Sequence, residues 1–294
     1  MPCISASELV VEKRGGKHVK KKKHMYLLGD ILACAGMAVV YVIPFLFILF
    51  NALKDRKEAN RLNFTLPEVF HFENFLEVIQ ARNYQLLTAF KNSALITFFS
   101  VVLLLVVGAM AGYIIQRRRD RAVRFISNVF MLGLMLPPAI LPTIWVLQTL
   151  HIYKTFFSIV MIETVLNLPF TIMLYRGYIS TIPRELEEAG YIDGCSRWKI
   201  FSQIVFPLLK PIHATVVILN AIYIFNDFTN PLYFYPGAEN ATVVLTLYNF
   251  IGQFQSSYNL LFADVVIIII PMLILFIIFN KKIVNGMVAG AVKG

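Results

Sequence analysis

The sequence predicts an all-α protein that crosses a lipid bilayer six times. Three observations carry this reading. Of 294 residues, 58% are apolar and only 15% charged, against about 25% charged in an ordinary soluble domain. Lipid must therefore solvate much of the surface. Six apolar runs, near 26–53, 92–115, 125–149, 156–178, 212–235 and 262–280, reach the ~20 residues a helix needs to span the hydrocarbon core. Finally, with the N-terminus inside, the inner segments hold 20 of the 27 Lys and Arg. That is the positive-inside bias, so the net charge of +10 reports orientation at a membrane and not a nucleic-acid partner.

Taken in order, residues 1–25 form a basic inner tail containing Lys20, Lys21, Lys22 and Lys23. The first apolar run is too long for a cleaved leader and is followed by no small-residue cleavage site, so it is read as an uncleaved span. It and its external loop make up 26–91. In that loop the spacing of Phe72, Phe75, Leu76 and Ile79 predicts an amphipathic helix on the outer surface. Residues 92–282 carry the remaining five spans. "RRRDR" at 117–121 anchors the second span at the anionic inner leaflet, and 283–294 is a second inner tail.

The spans are not plain anchors. The third carries Pro137, Pro138 and Pro142, and Pro44, Pro169 and Pro271 interrupt others. Each removes a backbone donor and bends its helix, which lipid tolerates where the freed carbonyls face protein or a wet cavity. Two readings stand: a translocation pathway, or the general abundance of proline in membrane helices. Polar groups add weight to the first. Glu163 and Asn167 share a helix face in the fourth span. Asn220, Asn226 and Asp227 lie in the fifth, and ionisable groups at membrane depth are functional candidates by default. The bland alternative is that Glu163 and Asp227 sit at the outer ends of their spans and are merely wet.

One segment departs from the apolar pattern. "ELEEAGYIDGCSRWKIFSQIVFPLLKP", residues 185–211, lies on the inner side within a stretch bounded by 180 and 211. Pro183 and the acids Glu185, Glu187 and Glu188 suit a first helical turn. Leu186, Ala189, Gly190 and Ile192 form a small, largely apolar contact set. Gly194 is expected to break the helix with a left-handed backbone. Ser196 then caps a second helix bearing Trp198, Ile200, Phe201 and Ile204. The shape is helix, glycine turn, helix, projecting toward a partner. A helix resting on the membrane is the alternative, disfavoured by acids facing a negative leaflet.

"EAGYIDGCSRWKIFSQIVFP" (188–207) resembles the EAA motif of bacterial ABC-type importers, matching at Glu188, Ala189, Asp193, Gly194, Phe201, Ile204 and Pro207. It departs at Gly190 and Cys195, where the family favours Ala. "KNSALIT", "MLPPAILPTIWVL", "FNDFTNPL" and the terminal "NGMVAGAVKG" are similar to the shorter membrane subunit of maltose-type carbohydrate importers, over about 26–294. The resemblance implies the type I importer transmembrane fold and a bacterial cell-membrane location with both termini cytoplasmic. It also implies four kinds of partner: a second homologous permease, two ATPase subunits, an external solute-binding protein and a sugar. Glu188, Ala189, Asp193 and Gly194 would couple to the ATPase, with Glu188 as the ionic or hydrogen-bonding contact. Glu163, Asn167, Asn226 and Asp227 would line or support the sugar pathway, and the loop at 236–261 would meet the binding protein.

Other classes fit less well. There is no G-x-x-x-x-G-K-[ST] loop, so ATP hydrolysis belongs to partners. The five histidines are scattered, Cys3, Cys34 and Cys195 lack ligand or disulfide spacing, and no G-x-S-x-G occurs. No metal, cofactor or catalytic residue is predicted, which argues against a membrane enzyme. A secondary transporter usually needs inverted repeats and has no use for an inner docking segment. Copurification with an ATPase separates these classes.

Overall fold

The computed structural model describes residues 30–31, 33–252 and 256–291, with backbone alone for 279–291. The basic tail expected over 1–25 lies outside them. Among the described residues there are helices and no strand. They are α1 (Ala33–Ala52), α2 (Arg56–Ala59), α3 (Glu73–Arg117), α4 (Arg121–Gly133), α5 (Ile140–Thr149), α6 (Phe156–Ile179), α7 (Glu185–Ile192), α8 (Arg197–Leu208), α9 (Lys210–Phe225), α10 (Thr229–Phe234), α11 (Val243–Thr246) and α12 (Tyr258–Ala291).

Four helices, α1, α3, α6 and α12, are each long and apolar enough to span a membrane, and α8 with α9 makes a fifth candidate bent by 73° at Leu209. The expected third span is two shorter helices, α4 and α5, separated at 134–139. The break falls at Pro137 and Pro138, as the loss of two consecutive backbone donors requires. Pro142 sits in the first turn of α5, where its missing N–H costs nothing. Pro169 and Pro271, by contrast, are accommodated inside α6 and α12.

The loop after α1 differs from its expected pattern. Helix α3 opens at Glu73, but Phe72 is 65% and Leu76 57% exposed. The buried face is Asn74 and Val78, with Phe75 and Ile79 packed against the core of Ala52, Leu86 and Leu260. Asn74 explains this register. Its amide donates to the carbonyls of Ala52 and Lys54, each at 2.9 Å, and its side-chain oxygen accepts from Asn259. A polar residue thus holds the surface helix where apolar spacing alone would have rotated it. Left-handed backbone at Arg82, Asn83 and Tyr84 then separates that helix from the span proper.

The centre of the fold is the contact of α3 with α6, and its cause is a small-residue pair. A Cβ on Gly108 would lie 2.6 Å from Thr171 Cγ2. On Gly112 it would lie 2.7 Å from Tyr175 Cβ and 3.3 Å from the Arg176 backbone nitrogen. "GAMAG" is a small-xxx-small stripe, which lets two membrane helices approach at backbone distance. Replacing Gly112 by leucine is therefore expected to overpack the contact by ~1–3 kcal/mol. The melting temperature of the detergent-solubilised protein should fall, whereas Gly177→Ala, whose Cβ meets nothing within 4 Å, should not lower it. Equal melting of both variants would show that the stripe is not a packing contact.

Candidate functional site: the α7–α8 segment and the polar cluster

Helix α7 has only eight residues, too few to be stable alone, so its position must come from its ends. At the C-terminal end Gly194 has φ +76°, the left-handed backbone expected of it. The Cys195 N–H bonds the Gly190 carbonyl at 2.9 Å, and the Gly194 N–H bonds that of Tyr191 at 3.1 Å. This pair is a Schellman motif. Ser196 accepts from the Lys199 N–H at 3.3 Å and starts α8.

At the N-terminal end the second of the three acids does the holding. Glu187 is 6% exposed. Its Oε1 accepts from Arg117 Nε at 2.7 Å and its Oε2 from the Tyr113 hydroxyl at 2.8 Å, while Arg117 also reaches the Ile182 carbonyl at 2.9 Å. Tyr113 and Arg117 are one turn apart at the end of α3. Glu187 therefore ties the segment to the span at the same end of the bundle. Sequence reasoning did not single it out; an acid facing a Tyr-x-x-x-Arg pair was the available signal.

Gly190 faces inward. It is buried, and a Cβ there would lie 2.9 Å from Ile204 Cδ1 and 3.2 Å from Ile200 Cγ1. The departure from Ala at this position thus allows α7 to sit closer to α8; it is not part of an outward contact set. The outward face consists of Glu188, Ala189 and Asp193, all exposed, with Ile192 86%, Tyr191 48% and Leu186 43% exposed.

Behind it α8 contains a π-helical stretch, Ile200–Val205, an irregularity frequent at functional sites. Aromatic rings continue inward: Trp198 to Phe201 (6.0 Å between centroids), Phe201 to Phe206 (5.8 Å) and Phe206 to His213 (4.5 Å). The Tyr175 hydroxyl lies 2.6 Å from His213 Nδ1, and His213 Nε2 lies 3.2 Å from the Phe206 carbonyl. The Nε2–H tautomer satisfies both. The outward helix is thus packed continuously onto α6 and α9.

The second set of residues lies toward the other end. Glu163 is about 10 Å in from the start of α6, at 1.5 Å per residue, and is 0% exposed. Its Oε1 accepts from Asn230 Nδ2 at 3.2 Å. Asp227 lies just before α10 and accepts from the Thr229 N–H at 2.8 Å and the Asn230 N–H at 3.4 Å. Glu163 Oε2 and Asp227 Oδ2 are buried and receive no hydrogen bond from a side-chain or backbone donor, and the two carboxyl groups lie against each other. Asn230 therefore gathers Glu163 and Asp227 into one cluster, and it was missed although "NDFTN" places it three residues after Asp227. The other two candidates are satisfied locally. Asn167 donates to the Glu163 carbonyl and Asn226 to the Ile222 carbonyl, each at 2.8 Å. Asn226 is exposed and Asn167 half-buried. A cysteine at 226 is accordingly expected to react with a water-soluble thiol reagent in the conformation described, and one at 163 to be protected. The reverse order would place the cluster on the opposite side of the helix pair.

The loop at 236–261 folds back onto the start of the second span. Asn92 donates to the Glu239 and Ala241 carbonyls at 2.9 and 3.0 Å, and the Val243 N–H donates to Ser93 Oγ at 3.0 Å. Residues 253–255 of this loop lie outside those described.

Broken and bent helices, several of them long and apolar enough to span a bilayer, with an exposed helix–turn–helix at the α7–α8 junction, define a polytopic membrane protein. Comparison with known proteins gives the family. The pattern of the "Binding-protein-dependent transport system inner membrane component" family matches residues 104–288, and the chain belongs to that family of ABC transporter permeases. It is 32% identical over 278 residues to the melibiose/raffinose/stachyose import permease protein MelC of Bacillus subtilis, covering 94% of this chain and 98% of that one. It is also 32% identical to the multiple sugar-binding transport system permease protein MsmG of Streptococcus mutans, covering 93% and 99%. In fold it matches a chain of a bacterial ABC transporter that imports the acidic polysaccharide alginate. There the TM-score is 0.77 at 20% identity, covering 96% of this chain and 99% of that one.

Proposed function

We propose that this chain is one of two membrane subunits of an ATP-driven, binding-protein-dependent importer of an oligosaccharide. In this reading it forms half of the translocation pathway, and both of its termini are cytoplasmic. The observation that carries the coupling role is the exposed α7 face of Glu188, Ala189, Ile192 and Asp193, held rigidly by the Glu187–Arg117 pair and the Gly194 turn. Such a face receives an ATPase subunit and passes its motion through α8 to α6 and α9. Sugar as cargo is supported by the relatives, whose names include melibiose, raffinose and stachyose. A related transporter in complex with an alginate pentasaccharide-bound periplasmic protein supports an external binding protein, which the 236–261 loop would meet. Glu163, Asn167, Asn226 and Asp227, joined by Asn230, line or support the pathway, since polar groups at membrane depth suit a hydroxyl-rich cargo.

The test is uptake of a panel of labelled oligosaccharides by cells with and without this chain, together with purification of the tagged chain from their membranes. Loss of uptake of at least one oligosaccharide, with an ATPase copurifying, is expected. Unchanged uptake of every sugar would overturn the cargo, and absence of an ATPase would overturn the importer reading.

A further inference from the structure

Beside the coupling segment, on the flank of the bundle, lies a cavity of about 330 Å³ whose walls are unusually basic. Five arginines reach it from separate parts of the chain: Arg118 and Arg119 at the end of α3, Arg124 on α4, Arg176 on α6 and Arg184 before α7. Among the described residues one carboxylate answers them, Asp120, paired with Arg118 at 2.8 Å. Arg176 spends its donors on neutral groups, Gln116 Oε1 at 3.3 Å and Ser127 Oγ at 3.4 Å. Arg119, Arg124 and Arg184 have no ion pair among the described residues. The fold brings these like charges together without neutralising them, at the end where Arg117 meets Glu187.

The surroundings say what neutralises them. Just past Arg124, helix α4 presents Phe125 (69% exposed), Ile126 (47%), Val129 (50%) and Leu132 (58%). Ile114 on α3 is 43% and Met173 on α6 41% exposed. A basic pocket therefore opens at the edge of an apolar surface that belongs in hydrocarbon. A soluble anion would need the charges alone. A ligand with a phosphate and long acyl chains satisfies both halves, guanidinium forks gripping the phosphate oxygens and apolar side chains receiving the tails.

We infer that the cavity walled by Arg118, Arg119, Arg124, Arg176 and Arg184 binds the phosphate headgroup of an anionic phospholipid of the inner leaflet, with its acyl chains along α4. Basic pockets between spans on the cytoplasmic side are suited to such headgroups. The inference rests on the reading of the coupling-segment end as cytoplasmic. It makes lipid a structural partner of α4, α6 and the approach to α7. The site is pinned to the same span end as the coupling segment, so a lipid there steadies the frame from which α7 projects.

The test uses the full-length chain purified with its partner subunits and titrated with phosphatidylglycerol or phosphatidylcholine while bound lipid is counted by native mass spectrometry. Wild-type protein is compared with Arg124→Gln/Arg176→Gln/Arg184→Gln. A control, Lys57→Gln/Arg61→Gln/Lys91→Gln, makes the same charge change at the opposite end. At about 1 kcal/mol per arginine, phosphatidylglycerol retention should weaken on the order of a hundredfold in the first triple variant. The control should match wild type, phosphatidylcholine should not distinguish the proteins, and millimolar inorganic phosphate should not compete. Equal phosphatidylglycerol retention by wild type and the first variant would overturn the site, as would displacement by phosphate, which would mark a soluble-anion site. Retention by the isolated chain but not by the assembled complex would also overturn it, by showing that a partner subunit covers the cavity. Copurification of the ATPase, scored in the same samples, tests the importer reading separately.

Discussion

Sugar uptake is expected to fall to background when Gly194 is replaced by valine, with the protein reaching the membrane in normal amount. The reason lies in the backbone. A side chain at 194 would meet nothing within 4 Å, so no clash is involved. The residue must, however, hold φ +76°, which costs a β-branched side chain ~1–3 kcal/mol. The Schellman bonds to Gly190 and Tyr191 depend on that conformation, and α7 is too short to keep its direction without them. The apolar spans owe nothing to this turn, so insertion proceeds. Glu188→Lys should give the same phenotype by another route. Glu188 is exposed and has no ion pair among the described residues, so the fold survives and only the partner surface changes. A reversed charge there can cost several kcal/mol. Uptake and ATPase copurification at matched membrane abundance are the measurements. Normal transport by both variants would reduce α7 to a passive surface helix.

The second large effect concerns Glu187 and Arg117, whose side chains are 9% and 11% exposed. Removing either partner of a buried pair leaves the other charge uncompensated and costs about 3–5 kcal/mol. Glu187→Met and Arg117→Met should each lower the melting temperature of the solubilised complex and abolish uptake. The double variant should be less destabilised than the sum of the two, because no charge is then left unpaired. Additive losses would sink the pair as a clamp. Glu187→Asp separates geometry from charge: it keeps the carboxylate but withdraws it from Tyr113, so partial uptake is expected.

Much of this molecule is legible in one dimension because lipid imposes simple demands. A span must be apolar for ~20 residues and satisfy its own backbone. Runs of Leu, Ile, Val and Phe therefore announce α1, α3, α6 and α12 directly, and Pro137 with Pro138 announces a bend in the third span, which the structure makes a full break between α4 and α5. Gly194 is legible for a similar reason: a lone glycine after an acidic helical turn and before Ser196 is a local chemical signal, and its φ is a local property.

What the sequence could not determine is which polar residues meet. Glu185, Glu187 and Glu188 read alike, yet Glu187 turns inward to Arg117 and Tyr113, and Glu188 turns out. Glu163, Asn167, Asn226 and Asp227 read as one set, yet Asn230 selects Glu163 and Asp227 and leaves the two amides to their own helices. The amphipathic spacing at Phe72 and Leu76 was overruled by Asn74, whose hydrogen bonds reach Ala52 and Asn259, 22 and 185 residues away. The sequence determined by itself that long apolar helices form and that a glycine turn follows the acidic helix α7, because hydrophobicity and backbone restriction act through neighbours in the chain. It did not determine which prolines divide a span, as Pro137 and Pro138 do, and which are accommodated within a helix, as Pro169 and Pro271 are. The tertiary structure alone decided the Gly108–Gly112 approach to α6, the Glu187 clamp and the arginine-walled cavity. Each depends on the distance and direction between side chains of different helices, set only when close packing brings those helices together.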